Sequence, residues 1–253
     1  MTRHVALNNI EHKNLKVIPR YTAEFGAANN CVLTFPTEYG DVQREYPIVF
    51  RKDQQTGDYQ SIALLGFTKG ENLFLDGAGW NASYIPGIIA RGPFLIGFQE
   101  RESDGELRKE PVIHVDLDDP RVNEKEGMAL FLRHGGNTPF LQRMALVLRA
   151  IHDGMTATKE MFTAFESYGL VEPVNLEVEV HRDEQYNLMG LYTINPGKLN
   201  QLDGDALEKL NKPGFLQAAF MVTASLTNMK KLIEMKRRRI LETAKQPAEA
   251  AAQ

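Results

Sequence analysis

The chain has 253 residues, of which 43% are hydrophobic, 25% charged and 9% aromatic. At about 100–200 residues per domain this is one large domain or two small ones, and wholesale disorder, collagen-like repeats and a disulfide-stapled miniature scaffold are excluded. Lys plus Arg number 29 against 33 Asp plus Glu, a net charge of −4, so general attraction to nucleic acid is excluded as well.

The N-terminal stretch MTRHVALNNIEHKNLKV is polar and charged, where a secretion signal needs an apolar run of about 7–15 residues. No window reaches the roughly 18 consecutive apolar residues of a membrane span, and even Ile85 to Phe98 is interrupted by Pro86, Arg91 and Pro93. A cytoplasmic location is expected.

Strands are predicted first. CVLTF (31–35), YPIVFR (46–51), YQSIALLGF (59–67), PFLIGFQ (93–99) and PVIHVDL (111–117) are short apolar or alternating runs separated by turn residues, which is how strands read. Gly57 and Asp58 favour a hairpin between the second and third. The charged segment ERESDGELRKE (100–110) reads as the exposed connection of an antiparallel pair. Cys31, the single cysteine, has neither a disulfide partner nor a CxxC spacing and reads as a buried strand residue.

Three constellations carry candidate chemistry. The loop ENLFLDGAGWNASYIP holds Asn72, Trp80, Asn81 and Tyr84 around Gly77 and Gly79. Rings beside amides in such a loop make a recognition surface, the alternative being a loop that folds back to bury Trp80. On a strand, His114, Asp116 and Asp118 share one face, and His-x-Asp with a distant His134, His152 or His181 is the ligand pattern of a non-haem iron site. The alternative is a polar strand end whose Asp side chains satisfy turn amides. Arg133, His134, Gly135, Gly136 and Asn137 precede a helix start, where free amides favour an anion; the same run is also a plain helix entry.

The period then changes. Thr138 and Pro139 open a helix from about 139 to 168 on an apolar stripe from Leu141 to Phe165, with Gly154 marking a point where it can break and Gly169 a C-cap. VNLEVEV (174–180) and YNLMGLYTI (186–194) alternate as a second hairpin. Asp203 caps a short helix through Leu210. A final helix carries Phe215, Ala219, Val222, Leu226, Met229, Ile233 and Ile240, a stripe for core or for a helical partner. Its basic run, Lys230, Lys231 and Lys236 to Arg239, reads as a solvated helix end.

These elements predict an α+β fold, an antiparallel strand-rich N-terminal half packed against long C-terminal helices. The expected layout is a single domain over 1–244, strand-rich over 15–118 and helix-rich over 138–240, with a disordered tail over 245–253.

Five strings carry a resemblance: CVLTFPTEYGDVQREYPIVFRKD, ALLGFTKGENLFLDGAGWNASYIPGIIARGPFLIGFQE, PVIHVDLDDPRV, LFLRHGGNTPFLQRM and GLYTINPGKLNQLDGDALEKLNKPGFLQAAFMVTASLTNMKKLI. In colinear order over about residues 5 to 240, the chain resembles the bacterial SapC family. The resemblance implies a link to surface-layer (S-layer) protein transport, and a genetic context of flavin-dependent tryptophan halogenase-like proteins and TonB-dependent receptors. It brings no catalytic residues.

No GxSxG, HExxH, Walker A or redox CxxC motif is present. The expected function is therefore a soluble accessory or binding protein tied to S-layer or surface-protein export or modification, or to TonB-dependent uptake. The expected partner is a protein, a tryptophan halogenase-like protein or an export component, with no nucleic acid, no cofactor and an oligomer contact available on the 215–240 helix. The rival is a metal-dependent, non-haem oxygenase-like enzyme using His114 and Asp116.

Overall fold

The computed structural model describes residues 3–77, 79–103, 106–181 and 184–250, with the backbone alone described over 100–103, 106–109 and 244–250. The principal elements are β1 (His4–Ala6), β2 (Cys31–Leu33), β3 (Ile48–Lys52), β4 (Tyr59–Leu64), β5 (Phe94–Ser103), β6 (Glu106–Asp116), α1 (Pro139–Ser167), β7 (Val171–His181), β8 (Glu184–Ile194), α2 (Gly204–Asn211), α3 (Phe215–Ser225) and α4 (Met229–Ala250). Every described strand pairing is antiparallel, and the fold class is α+β. The chain divides into two compact units, Met1–Ala27 with Gly87–Asp153, and Ala28–Pro86 with Gly154–Gln253.

In the first unit β1, β6 and β5 form a sheet in that order. Val115 is buried among Leu15, Val17, Phe94, Leu130, Leu141, Met144 and Leu148, with Ile113 and Leu117 packed against them, so the period of two in PVIHVDL sends its apolar face inward. The β5–β6 ladder runs through the charged segment as far as Ser103 opposite Glu106, correcting the reading of 100–110 as a connection. Ladder hydrogen bonds satisfy the backbone whatever the side chains are, and charged residues give no apolar period to betray them.

In the second unit the sheet order is β7-β8-β3-β4-β2. The near-continuous apolar runs of β3 and β4 are buried, as central strands require. Their hairpin closes where Gly57 (φ 76°) and the Asp53 carboxylate, which accepts from the Gln55 and Thr56 amides at 2.8 and 3.0 Å, turn the chain. Phe50 packs edge-on to Phe162 with centroids 4.9 Å apart, and Tyr59 stacks on Phe162 at 5.4 Å. Cys31 lies on β2 as expected but is half-buried, with Arg51 Nη1 at 3.8 Å. No helix among the described residues is long and apolar enough to cross a membrane.

Helix α1 begins at Thr138, whose hydroxyl accepts the Leu141 amide at 3.3 Å, and ends at Gly169 (φ 61°). It is unbroken at Gly154. A Cβ there would lie 2.5 Å from Phe35 Cβ and 2.6 Å from Thr37 Oγ1, so the glycine serves close packing rather than a kink. The expected 215–240 helix is instead α3 and α4 separated by a 3-10 turn, Leu226–Asn228. Ser225 donates to Val222 O at 2.6 Å and accepts the Ile48 amide at 2.8 Å, while Asn228 donates to Gln43 O at 2.8 Å. Side chains that bond main-chain groups in this way compete with the helical ladder. The backbone of α4 is helical to Ala250, where the sequence reading ends regular structure at Lys245; residues 251–253 lie outside the described residues.

Gly154→Ala tests the packing argument because two effects oppose. Helix propensity alone would stabilise by about 1 kcal/mol, whereas the clash with Phe35 and Thr37 is of the kind that costs about 1–3 kcal/mol. Urea denaturation is expected to show net destabilisation; a gain in midpoint would refute the close-packing role.

Candidate functional site

The segment 71–84 folds around Phe74, which is fully buried. The Asn72 side-chain oxygen accepts the Phe74 amide at 2.9 Å, and the short pair Leu75–Asp76 and Gly79–Trp80 closes the turn. Phe74 lies between Tyr46, centroid 4.5 Å away, and Trp80, near-parallel at 6.4 Å. Trp80 Nε1 donates to the Tyr46 hydroxyl at 3.0 Å, which donates in turn to Tyr84 O at 2.5 Å. The Tyr84 hydroxyl donates to Glu38 Oε2 at 2.7 Å and the Thr34 hydroxyl to Oε1 at 2.8 Å. Burial pushes both phenols well above their ordinary range, for Tyr84 reinforced by Glu38. They are therefore neutral hydrogen-bond donors that fix the loop.

Helix α4 holds the same segment from outside. Arg239 donates to Asn72 O at 3.0 Å, Leu73 O at 3.4 Å and Leu75 O at 2.6 Å. Lys236 pairs with Glu71 at 2.7 Å, both side chains being largely buried. Lys231 reaches Glu45 Oε2 at 3.3 Å, and Glu45 Oε1 accepts the Ser83 and Tyr84 amides at 2.8 and 3.1 Å. Arg237 donates to Val180 O at 2.6 Å. Four of the basic run, Lys231, Lys236, Arg237 and Arg239, are thus clamps on loop and strand carbonyls and carboxylates, correcting the expectation of a solvated helix end, while Lys230 and Arg238 are exposed as expected. Unpaired carbonyls of an irregular loop need donors, and long cationic side chains supply them at reach.

Between the loop and the helix lies an open cleft of about 560 Å³, lined by Glu45, Trp80, Asn81, Ser83, Lys231, Glu234, Met235 and Arg238 among others. Trp80 and Met235 provide an apolar wall. Glu234 and Arg238 are exposed, and among the described residues neither side chain forms a hydrogen bond or ion pair. The cleft therefore offers one uncommitted charge of each sign beside an aromatic ring.

Of the residues singled out from sequence, Trp80 and Asn81 line this cleft. Tyr84 and Asn72 support it from behind: Asn72 is buried as a turn-forming amide. Trp80 is half-buried rather than wholly folded away. Glu45 and Glu234 escaped notice because isolated acidic residues carry no local signal, while Lys231 and Arg238 lay in the basic run.

The other candidates belong to the first unit. Arg133 to Asn137 form an exposed turn closed by Gly135 N to Leu132 O and Leu132 N to Gly136 O, both 3.0 Å, leading into the Thr138 cap. His114 packs on Gly97 with Nδ1 3.3 Å from Val112 O. Asp116 accepts the Asp118 amide at 3.1 Å and lies 3.6 Å from His4. His152 rests on the Phe98 ring. His181, in the second unit, lines a shallow groove with Arg237 and Leu241. Among the described residues no three His, Cys, Asp or Glu side chains are grouped to hold an ion.

The SapC family profile matches residues 7–232. The chain belongs to the SapC family. No curated protein and no solved structure matches it. The matched span takes in the whole 71–84 segment and the start of α4 as far as Leu232, so the loop side of the cleft and Lys231 lie inside the family region and Arg238 beyond it.

Two outcomes follow for the clamps. Arg239→Ala leaves three carbonyls without their cationic donor, and at about 1.5–3 kcal/mol for a hydrogen-bonded charge a loss of roughly 2–4 kcal/mol is expected by urea denaturation, with Arg239→Lys only partly restoring it. For Glu71, burial would raise the carboxyl pKa, but Lys236 and the Phe67 amide outweigh burial and hold it below the ordinary value. Lys236 is held above its ordinary value by Glu71 and Tyr186 against its own burial. The carboxyl's contribution is then complete above its unfolded pKa of about 4.3 and lost as pH falls through the lower folded value. The ammonium's is complete below about 10.4 and lost as pH rises through the higher folded value. Stability measured from about pH 5 downward is expected to fall less steeply in Glu71→Gln than in the wild type.

Proposed function

We propose that this SapC-family chain is a non-catalytic binding or accessory protein that holds a segment of a protein partner in the Trp80 cleft. The observation that carries the reading is the uncommitted pair Glu234 and Arg238 flanking Trp80, Asn81 and Met235. An extended polypeptide presents amides, carbonyls and side chains of both signs, and such a wall matches it: the ring gives contact area at small entropic loss, the amide gives direction, and the charges set register. A setting beside surface-protein export or modification, or TonB-dependent uptake, with an export component or a tryptophan halogenase-like protein as partner, is the context to which the family resemblance points.

Affinity capture from native lysate at moderate salt, with wild type beside Arg238→Glu and Glu234→Lys, is the test. Each reversal alters one exposed charge and is expected to leave the circular dichroism unchanged, so a protein retained by the wild type should be lost or reduced at least about 10-fold in the variants. A protein retained equally by all three would refute the cleft as the site. Turnover of a small molecule by pure protein, with nothing retained, would establish an enzyme instead.

A further inference from the structure

A second crevice lies wholly within the first unit, lined by residues 17–21, 90–94, Arg121, Phe140 and Met144. Its lining holds three arginines, Arg20, Arg91 and Arg121, and no carboxylate. That is unusual for a chain whose overall charge is −4. Arg121 is buried and forked onto Asp119, Nε to Oδ1 at 2.9 Å and Nη2 to Oδ2 at 2.6 Å. Its Nη1 is left over. It faces Gly92, which has φ +56° and would place a Cβ 3.6 Å from that nitrogen; the missing side chain keeps the approach to Nη1 open. Arg91 is half-buried, and among the described residues its guanidinium has one acceptor, Phe94 O, 2.7 Å from Nη1. No other side-chain acceptor serves Arg91 or the Nη1 of Arg121 among the described residues.

Asp119 attracts both guanidiniums, and one carboxylate against two cations leaves one positive charge in excess in a partly desolvated place. Burial and then Arg121 push the Arg91 pKa below its ordinary value against the opposing pull of Asp119, and burial raises that of the neighbouring Tyr21 hydroxyl against Arg121 and Arg143. A structural ion pair explains Arg121 with Asp119, whereas the bond to Phe94 O and the longer-range pull of Asp119 leave further donors of Arg91 without an acceptor among the described residues. Guanidinium forks present paired N–H groups that match the oxygens of a phosphate.

We propose that this crevice is an oxyanion site in which Arg91 and Arg121 together take a phosphate group. The space in the crevice, about 10 Å³, is close to the least that holds one water-sized atom. One phosphate oxygen then takes that space, and the remainder of the ligand stays outside it.

Thermal denaturation of the full chain in increasing inorganic phosphate, with ionic strength held constant by sodium chloride, reads the site directly. A saturable rise in Tm is expected in the wild type and in Arg149→Gln, an exposed arginine elsewhere on α1. In Arg91→Gln the half-saturating phosphate concentration is expected to rise at least about 10-fold, read against that variant's own Tm in plain chloride. Should Arg91→Gln fail to fold, NMR of the arginine Nε–Hε groups in wild-type protein replaces it, and phosphate is expected to shift the signals of Arg91 and Arg121 before any other. Flotation with phosphatidic acid vesicles against phosphatidylcholine vesicles tells a lipid headgroup from a free phosphate. A Tm that follows phosphate no more than chloride, an undiminished response in Arg91→Gln, or arginine signals that stay in place would overturn the proposal.

Discussion

The Arg239 guanidinium, donating to the carbonyls of Asn72, Leu73 and Leu75, is the contact on which the second unit's functional surface depends. Among the described residues the 71–84 segment has two residue pairs of ladder and a few turn bonds, which leave carbonyls such as those of Leu73 and Leu75 in need of further donors. Buried carbonyls without donors are costly, so the segment needs a partner, and α4 brings one. With the carbonyls held, Phe74 can stay buried between Tyr46 and Trp80, and the Trp80 ring is presented to the cleft with its Nε1 already bonded. Lys236 on Glu71 and Lys231 on Glu45 extend the attachment along the helix.

Two charged hollows in the molecule differ in kind. The Trp80 cleft mixes signs and is open, so its exposed charges are well hydrated and contribute mainly direction and selectivity. The arginine crevice carries one sign and is partly enclosed, so the field there is less screened and the groups fit a compact anion. A net charge of −4 averages over both, and bears only on the whole chain's attraction to polyanions.

Much of the architecture was legible in the sequence. Alternation in VNLEVEV matches the in-out burial of β7. Asp203 caps α2 by accepting the Ala206 amide at 2.8 Å. Thr138 and Gly169 bound α1 within one residue of the expected ends. Each of these is a local property in which side-chain period or a cap oxygen acts on neighbours a few residues away. The candidate site was half legible. Trp80 and Asn81 stood out as an aromatic and an amide in a glycine-rich loop, while Asn72 and Tyr84 share that loop and face inward.

What local reading could not supply was the use of charge and the allocation of segments. Arg239 and Asn72 are 167 residues apart, and nothing in a basic run says which carbonyls it will meet. The composition changes from strand-rich to helix-rich near residue 137, yet the compact units interleave, since β7 and β8 join β3 in one sheet and both units are discontinuous in sequence. Amino-acid order by itself determined the elements that carry an apolar period, with their caps and apolar faces, because those follow from backbone geometry over a turn or two; the charged strand ends over 100–110 have no such period. Tertiary structure alone decided which strands share a sheet, where the final helix breaks and which arginines are clamps or are left facing a crevice, because hydrogen-bond pairing between distant segments is set by where the packed cores bring them.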